Sequence, residues 1–247
     1  MVREVTLSWG RNRISRGAAA IAAFIAIAAT PAAANVLVVR AVGPSAGAYP
    51  PGRSLPDNAR LTLRAGDSII ILGAGGTRTF RGPGVFSPSA TAQAGNRTLA
   101  SADGRRARIG AVRSAGIVPR SPTIWHVDVT QGGTFCLAST RNVMLWRPDS
   151  SAPATLSIAP ASGAARTARW PAGHATLAWP VALPIANGSA FTIQQSGVAV
   201  PTQIVFRTLA SEPNDLQAVA AALIANGCQS QLDVLVESQP DTAAPAG

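Results

Sequence analysis

The sequence predicts a mainly β protein, in which a small hairpin-rich β domain is followed by a β-sandwich-like domain with one helix in its C-terminal half. Three observations predict this class. Short apolar or alternating segments recur at intervals of about 8–15 residues, as they do in sandwiches and open barrels. The 23 glycines and 19 prolines of the 247-residue chain fall mostly between these segments, where turns need them. A single stretch, near residue 220, has the period of an amphipathic helix.

The first 34 residues have the pattern of a secretory leader. Four arginines precede the uncharged apolar stretch 17–29, and the small residues of 30–34 end in a cleavage-site pattern. The apolar stretch is too short to cross a hydrocarbon core, which needs about 20 residues. We therefore expect general secretion, cleavage after Ala34 and a periplasmic or secreted mature protein without a transmembrane span. An uncleaved N-terminal anchor is the alternative.

The charge of the chain comes from arginine alone, since all 21 basic residues are arginine. Without lysine the chain has neither a Schiff-base amine nor a phosphate-loop lysine. Removal of residues 1–34, which contain four arginines and Glu4, leaves 17 arginines against 10 acidic residues and a formal charge near +7. Such a balance favours anionic surfaces, such as lipid headgroups or an acidic envelope protein. Nucleic acid is not an expected partner of an exported protein.

Residues 35–90 predict the hairpin-rich domain. Apolar or alternating segments are separated by turn sequences rich in glycine, proline and aspartate. The predicted strands are 36–39, 61–64, 68–72 and 77–81. The glycines at 73–76 are followed by Gly82-Pro83-Gly84, which leaves too short a segment for the helix that a dinucleotide-binding loop requires. They therefore predict a hairpin turn.

A spaced pattern in this domain resembles the FecR-like periplasmic β domain. The pattern consists of Gly52 before Leu55, the segments 59–61 and 63–67, and Gly76-Thr77-Arg78 before Gly82-Pro83-Gly84. The resemblance covers residues 36–86 and implies that Gly66-Asp67 divides two strands. It also implies an extracytoplasmic regulator or sensor that acts by contact with a membrane protein. The chain differs from that family because it has no membrane span joined to a cytoplasmic segment, so transmembrane signalling is not expected.

Residues 91–121 predict a solvated linker rich in arginine, alanine and glycine. Six arginines face a single acidic residue, Asp103, in this part of the chain. The alternative is a docking strip for an acidic partner, with Arg105, Arg106, Arg108 and Arg113 as its contacts. Aromatic residues are not interleaved with these arginines, so the segment is not predicted to be a nucleic-acid platform.

The second domain is predicted at 122–238. Its strands are predicted at 124–129, 134–137, 142–146, 154–158, 175–179, 191–195 and 203–209, with a last strand at 232–236. The apolar stripe of the predicted helix is formed by Leu216, Val219, Ala220, Leu223 and Ile224. Ser211 is the expected N-cap, and residues 239–247 are expected to be a disordered tail.

Two cysteines, Cys136 and Cys228, are predicted to form a disulfide, because a distant even pair in an oxidising compartment is most simply a bridge. The bridge would tie the end of the helix to the strand that carries Cys136. A metal site would need more ligands than two thiols and two histidines, and a catalytic thiol would leave the other cysteine without a role.

Candidate chemistry is sparse, and the one pair that we nominate is His126 with Asp128. They share one face of a predicted strand, where an aspartate could orient a histidine base. No serine lies in a nucleophile-elbow context, so the preferred interpretation is a surface pair. Trp146, Trp170 and Trp179 end candidate strands and are interpreted as core residues, with exposed sugar-stacking rings as the alternative.

The sequence therefore predicts an exported binding or regulatory module without catalytic activity, which acts on an envelope partner or ligand. No cofactor and no metal site are predicted. The alternatives are a hydrolase of envelope glycan or peptide, with His126 and Asp128 as its only nominated residues, and a structural component of the envelope.

Overall fold

The computed structural model describes residues 35–89, 121–210 and 213–240. The predicted leader, the four nominated linker arginines and Ser211 lie outside these ranges, as do residues 241–247. The described residues are mainly β, with several sheets and two C-terminal helices, which confirms the predicted fold class. No helix in the described ranges is both long and apolar enough to cross a membrane.

Residues 35–89 form six strands. They are β1 (Asn35–Val42), β2 (Ser54–Pro56), β3 (Leu61–Leu63), β4 (Ser68–Gly73), β5 (Gly76–Arg81) and β6 (Gly84–Phe86). An antiparallel sheet has the order β2-β1-β4-β5, and β3 pairs with β6 in a second sheet. The predicted hairpin is confirmed, since Gly73 pairs with Gly76 across a two-residue turn. The buried apolar residues of the two sheets face each other in one core cluster.

Asp67 fixes the turn between β3 and β4. Its buried carboxylate accepts hydrogen bonds from the backbone nitrogens of Ser45, at 2.8 Å, and Arg64, at 2.5 Å. Gly66 has a φ of +85°, which glycine adopts without strain. Gly43 lies directly against Asp67, because a Cβ at Gly43 would come within 2.5 Å of the carboxylate oxygen. The carboxylate thus joins two turns that are more than 20 residues apart.

Residues 121–210 form eight strands. They are β7 (His126–Asp128), β8 (Gly133–Leu137), β9 (Met144–Trp146), β10 (Ala154–Pro160), β11 (Arg166–Trp170), β12 (Thr176–Ala178), β13 (Ala190–Gln195) and β14 (Thr202–Thr208). One sheet has the order β11-β10-β13-β14-β8, and a smaller one has the order β12-β9-β7. Both sheets contribute to one apolar core, in which the rings of Trp179, Phe191 and Phe206 pack edge to face.

The strands of this region differ from the prediction in two places. β7 is shorter than the predicted strand at 124–129, since Ile124 and Trp125 lie in a turn. β11 was not predicted, because most of its side chains are exposed or half-buried and its apolar signal is weak. It lies at the edge of the larger sheet, where one side faces solvent.

The C-terminal part differs most from the prediction. The predicted helix is confirmed as α1 (Leu216–Ala225), but Asp215 is its N-cap, and its side chain accepts a hydrogen bond from the nitrogen of Ala218. The predicted strand at 232–236 is wrong, because this segment belongs to a second helix, α2 (Gln229–Ser238). The strand alternation there coincides with a helical spacing, in which Leu232 and Leu235 are buried on one face.

The two helices pack against both parts of the β structure. Leu37 and Val39 of β1 share one core cluster with Cys136 of β8 and with buried residues of both helices. After α2, the carbonyl of Pro240 accepts a hydrogen bond from the nitrogen of Thr77 at 3.2 Å. The described residues accordingly belong to one compact unit.

We expect Asp67→Asn to lower the free energy of unfolding at pH 7, because the amide turns one hydrogen-bond acceptor into a donor that faces a backbone N–H. Burial raises the pKa of the Asp67 carboxyl, but the hydrogen bonds from Ser45 and Arg64 and the Arg64 charge lower it more, so the pKa lies below its usual 3.8. The carboxylate therefore stabilises the fold above pH 3.8, and this stabilisation is lost as pH falls through the folded-state pKa.

Urea midpoints of the wild type and of Asp67→Asn, measured at pH 7 and at about pH 3, test this role of the carboxylate. The difference in urea midpoint between the two proteins should be smaller at pH 3 than at pH 7. Asp57→Asn, the same change in another turn, is the control. A gap that is equal at both pH values would contradict the role assigned to the carboxylate.

Candidate functional site

The candidate site depends on how α2 is held against the sheet. Cys136 of β8 and Cys228, which directly precedes α2, form a disulfide with a Cα–Cα distance of 5.8 Å. Both cysteines are buried, with exposed fractions of 0% and 1%. The bridge joins residues that are 92 positions apart in the sequence, which corresponds to about 4–5 kcal/mol of stabilisation in the chain-entropy account. It fixes the start of α2 at the edge of the larger sheet.

Gln231 completes this attachment from the first turn of α2. Its side-chain oxygen accepts a hydrogen bond from the nitrogen of Cys136 at 2.6 Å, and its Nε2 donates to the carbonyl of Cys136 at 2.9 Å. The same Nε2 donates to the carbonyl of Ile124 at 2.7 Å. Since β8 is an edge strand, its outward backbone groups need such a partner, and the amide takes the place of a neighbouring strand.

A groove of about 220 Å³ opens between α2 and the segment that leads into β7, and we call it the α2 groove. One side is formed by the turn before β7, by β7 itself and by the start of β8. The other side is formed by α2, from Ser230 to Glu237. Nine of the residues that line the groove have polar or charged side chains: Ser121, Thr123, His126, Asp128, Gln131, Ser230, Gln231, Asp233 and Glu237.

His126 lies in this groove as a neutral imidazole. Burial lowers the pKa of His126 below its usual value of 6.5, so the ring is mostly uncharged at pH 7. Its Nδ1 is hydrogen-bonded to the hydroxyl of Thr123 at 2.7 Å. The hydroxyl of Thr123 also accepts a hydrogen bond from the nitrogen of Trp125, so the turn before β7 orients the imidazole.

Asp128 lines the same groove, but its carboxylate bonds to other groups. Its Oδ1 accepts hydrogen bonds from the nitrogen and the hydroxyl of Thr130, at 2.9 and 2.6 Å. Within the described ranges no hydrogen bond joins Asp128 to His126. The two residues predicted as a pair therefore share a groove, but they lack the carboxylate–imidazole bond that orients a general base in a triad.

The sequence does not predict the helical side of the groove, because the pattern at 232–236 predicts a strand. Asp233 and Glu237 are one turn apart on α2 and line the groove together. Asp233 forms an ion pair with Arg40 of β1 and accepts a hydrogen bond from Gln229. A second hollow of about 410 Å³, on the β1 side of α2, is lined by Asp233, Glu237 and Arg40. In the sequence, the i, i+4 spacing of Asp233 and Glu237 is the one sign that both carboxylates could lie on one face of a helix.

The three nominated tryptophans are core residues. Trp146, Trp170 and Trp179 have exposed fractions of 4%, 0% and 8%. The buried guanidinium of Arg147 lies 4.8 Å from the Trp170 ring centroid and donates a hydrogen bond to the carbonyl of Pro171. These rings are therefore not a platform for sugar stacking.

The described residues do not bring three or more histidine, cysteine, aspartate or glutamate side chains into an arrangement that could hold a metal ion. Comparison with known proteins yields no family for this chain. No protein-family model matches it, and no curated protein and no solved structure matches it either.

We expect Gln231→Ala to destabilise the protein by about 2–3 kcal/mol, because it leaves the buried N–H of Cys136 and two carbonyls without their partner. Gln229→Ala removes the same side chain from an exposed position two residues earlier on α2 and should change the stability by less than about 0.5 kcal/mol. Urea unfolding of the disulfide-intact proteins measures both. Equal effects of the two substitutions would contradict the role of Gln231 at the edge of β8.

Proposed function

We propose that the protein is an exported module of the bacterial envelope that binds a ligand or partner in the α2 groove and does not catalyse a reaction. The observation that carries this proposal is the groove itself: an open cleft with a neutral imidazole, carboxylates and amides, in which His126 and Asp128 bond to separate threonines. Such a lining supplies hydrogen-bond donors and acceptors of several kinds, as recognition requires.

Export is supported by two features of the chain. A disulfide between buried cysteines is typical of proteins that fold outside the reducing cytoplasm. The leader pattern at 1–34 gives a route to the envelope by general secretion, with cleavage after Ala34. The proposed location is periplasmic or secreted.

A regulatory role is supported by the resemblance of residues 36–86 to FecR-like periplasmic β domains. Gly66-Asp67 forms the turn between β3 and β4, and a second glycine turn precedes β5, as that pattern implies. In this proposal the groove lies within the predicted second segment, 122–238, and the FecR-like segment, 35–90, is joined to it through the helices.

The test replaces the two nominated groove residues without breaking their local structure. His126→Ala removes the imidazole, and Asp128→Asn removes the charge but keeps the oxygen that accepts from Thr130. The control is His174→Ala with Asp149→Asn, because His174 is exposed and Asp149 accepts a hydrogen bond from the residue two positions later, as Asp128 does. The probes are isolated peptidoglycan sacculi and detergent-solubilised envelope proteins.

We expect the wild-type protein to bind one of these probes without releasing soluble glycan or peptide fragments. The groove variant should bind at least about tenfold more weakly, the loss that corresponds to about 1.4 kcal/mol of contact energy. The control should bind as the wild type does. Fragment release that the wild type shows and the correctly folded groove variant has lost would establish a hydrolase instead. Binding to neither probe would also contradict the proposal.

A further inference from the structure

The side chain of Gln231 bonds to backbone groups on both walls of the α2 groove. It joins the N–H and the carbonyl of Cys136, in β8, to the carbonyl of Ile124, which precedes β7. The three distances lie between 2.6 and 2.9 Å. A side-chain amide has the same kinds of donor and acceptor as a peptide bond. At this point the protein therefore bridges β7 and β8 with a substitute for a main-chain amide.

The outer edge of β8 continues beyond this bridge. The nitrogen of Leu209 donates to the carbonyl of Leu137 at 3.0 Å, so the carbonyl of Leu137 points toward β14. Because backbone groups alternate between the two edges of a strand, those of Cys136 and Thr134 point away from β14. Within the described ranges no strand pairs with this edge, and Thr134 is only half-buried. Its N–H and carbonyl are therefore the next groups on this edge that a ligand can meet.

The edge of β7 has outward backbone groups as well. The nitrogen of Val129 donates to the carbonyl of Trp146 at 3.0 Å, in the direction of β9. The backbone groups of His126 and Asp128 therefore point away from β9, and both residues line the groove. The nitrogen of His126 and the carbonyl of Asp128 bond to backbone groups close in the sequence. The carbonyl of His126 and the N–H of Asp128 complete this edge.

The charge of the groove is negative, although the chain has 21 arginines and only 11 acidic residues. Asp128 of β7 and the α2 residues Asp233 and Glu237 line it, and the described lining residues include no arginine. Arg40, the ion-pair partner of Asp233, lines the hollow on the β1 side of α2 and not the groove. Charge complementarity therefore favours a ligand with positively charged groups.

The dimensions of the groove favour a segment of chain over an enclosed small molecule. Its volume of about 220 Å³ is below the roughly 300–1,000 Å³ of clefts that enclose drug-sized ligands. Ile124 and Val234 add apolar surface to the lining. When an extended peptide pairs with a strand edge, main-chain hydrogen bonds supply affinity and alternate side chains supply specificity.

We propose that the α2 groove binds a basic peptide segment in an extended conformation. Its main-chain amides bond to the outward groups of β7 and β8, as the amide of Gln231 does, and its arginine or lysine side chains face the carboxylates. This proposal names the ligand class of the binding module proposed above, and it rests on that function. A glycan suits this lining less well, since it has mainly hydroxyl groups and no regularly spaced amides.

The probe is a phage-displayed library of random peptides of about ten residues, a length that covers a typical strand. The bait is the disulfide-intact protein in the form recovered from the producing cell. We expect the selected peptides to be enriched in arginine or lysine at alternate positions, because alternate side chains of a strand face the same way. Proline should be depleted from them, because it has no N–H to donate.

The groove charge is tested with Asp128→Asn combined with Glu237→Gln, which keeps Asp233 and its ion pair. The matched control is Asp149→Asn combined with Asp215→Asn, since neither residue lines the groove and asparagine also caps a helix. Thermal unfolding verifies that both variants keep the fold. The best selected peptide, made synthetically, should bind the groove variant about fivefold more weakly than the wild type. The control should bind it within about twofold of the wild type.

Main-chain pairing is tested on the peptide, with the wild-type protein unchanged. N-methylation of a central residue keeps every side chain and charge but removes one main-chain donor. It should weaken binding at least about tenfold, whereas N-methylation of a terminal residue should change it less than about twofold. If central N-methylation has no effect, the proposal is wrong, because charge alone would then hold the peptide.

Equal affinities of the wild type and the groove variant for the selected peptide would also overturn the proposal, as would a selection that enriches no sequence. If no peptide is selected while sacculi still bind through the groove, the ligand is a glycan and the proposed binding function stands. If a selected peptide binds in the groove while neither sacculi nor envelope proteins bind, the envelope role is wrong and the ligand class stands. The two proposals therefore fail separately.

Discussion

The structure depends on the attachment of α2 to the edge of β8. An edge strand that borders the core has backbone groups that need partners, and here a helix supplies them through one glutamine side chain. The disulfide between Cys136 and Cys228 lies next to this amide and fixes the helix covalently. Because the same helices also bury Leu37 and Val39 of β1, this attachment joins the first β segment to the second.

The candidate site is a consequence of that attachment. His126 and Asp128 belong to β7, whereas Asp233 and Glu237 belong to α2, which lies about 100 residues later in the chain. The groove exists only while the helix is in place. In our proposal the groove recognises a ligand or partner.

The sequence predicts the local features of this fold well. The hairpin of β4 and β5 follows from glycines that must form a turn, and the Gly66-Asp67 turn follows from the same chemistry. α2 could not be distinguished from a strand, because Leu232, Val234 and Val236 alternate while Leu232, Leu235 and Val236 have helical spacing. The pairing of His126 with Asp128 was inferred from strand geometry, but threonines close in the sequence take the hydrogen bonds of both. The helical side of the groove is set by tertiary packing, which sequence period alone does not encode.

The most direct test of the attachment is hydrogen exchange of backbone amides, followed by mass spectrometry of the oxidised and the reduced protein. In the oxidised protein, α2 should be protected as strongly as β1 and β8, because the three elements open together. Reduction of the disulfide should lower the protection of α2 and β1 in parallel, while β10 and β13 stay protected. Rapid exchange of α2 in the oxidised protein, with β1 and β8 still protected, would contradict this account.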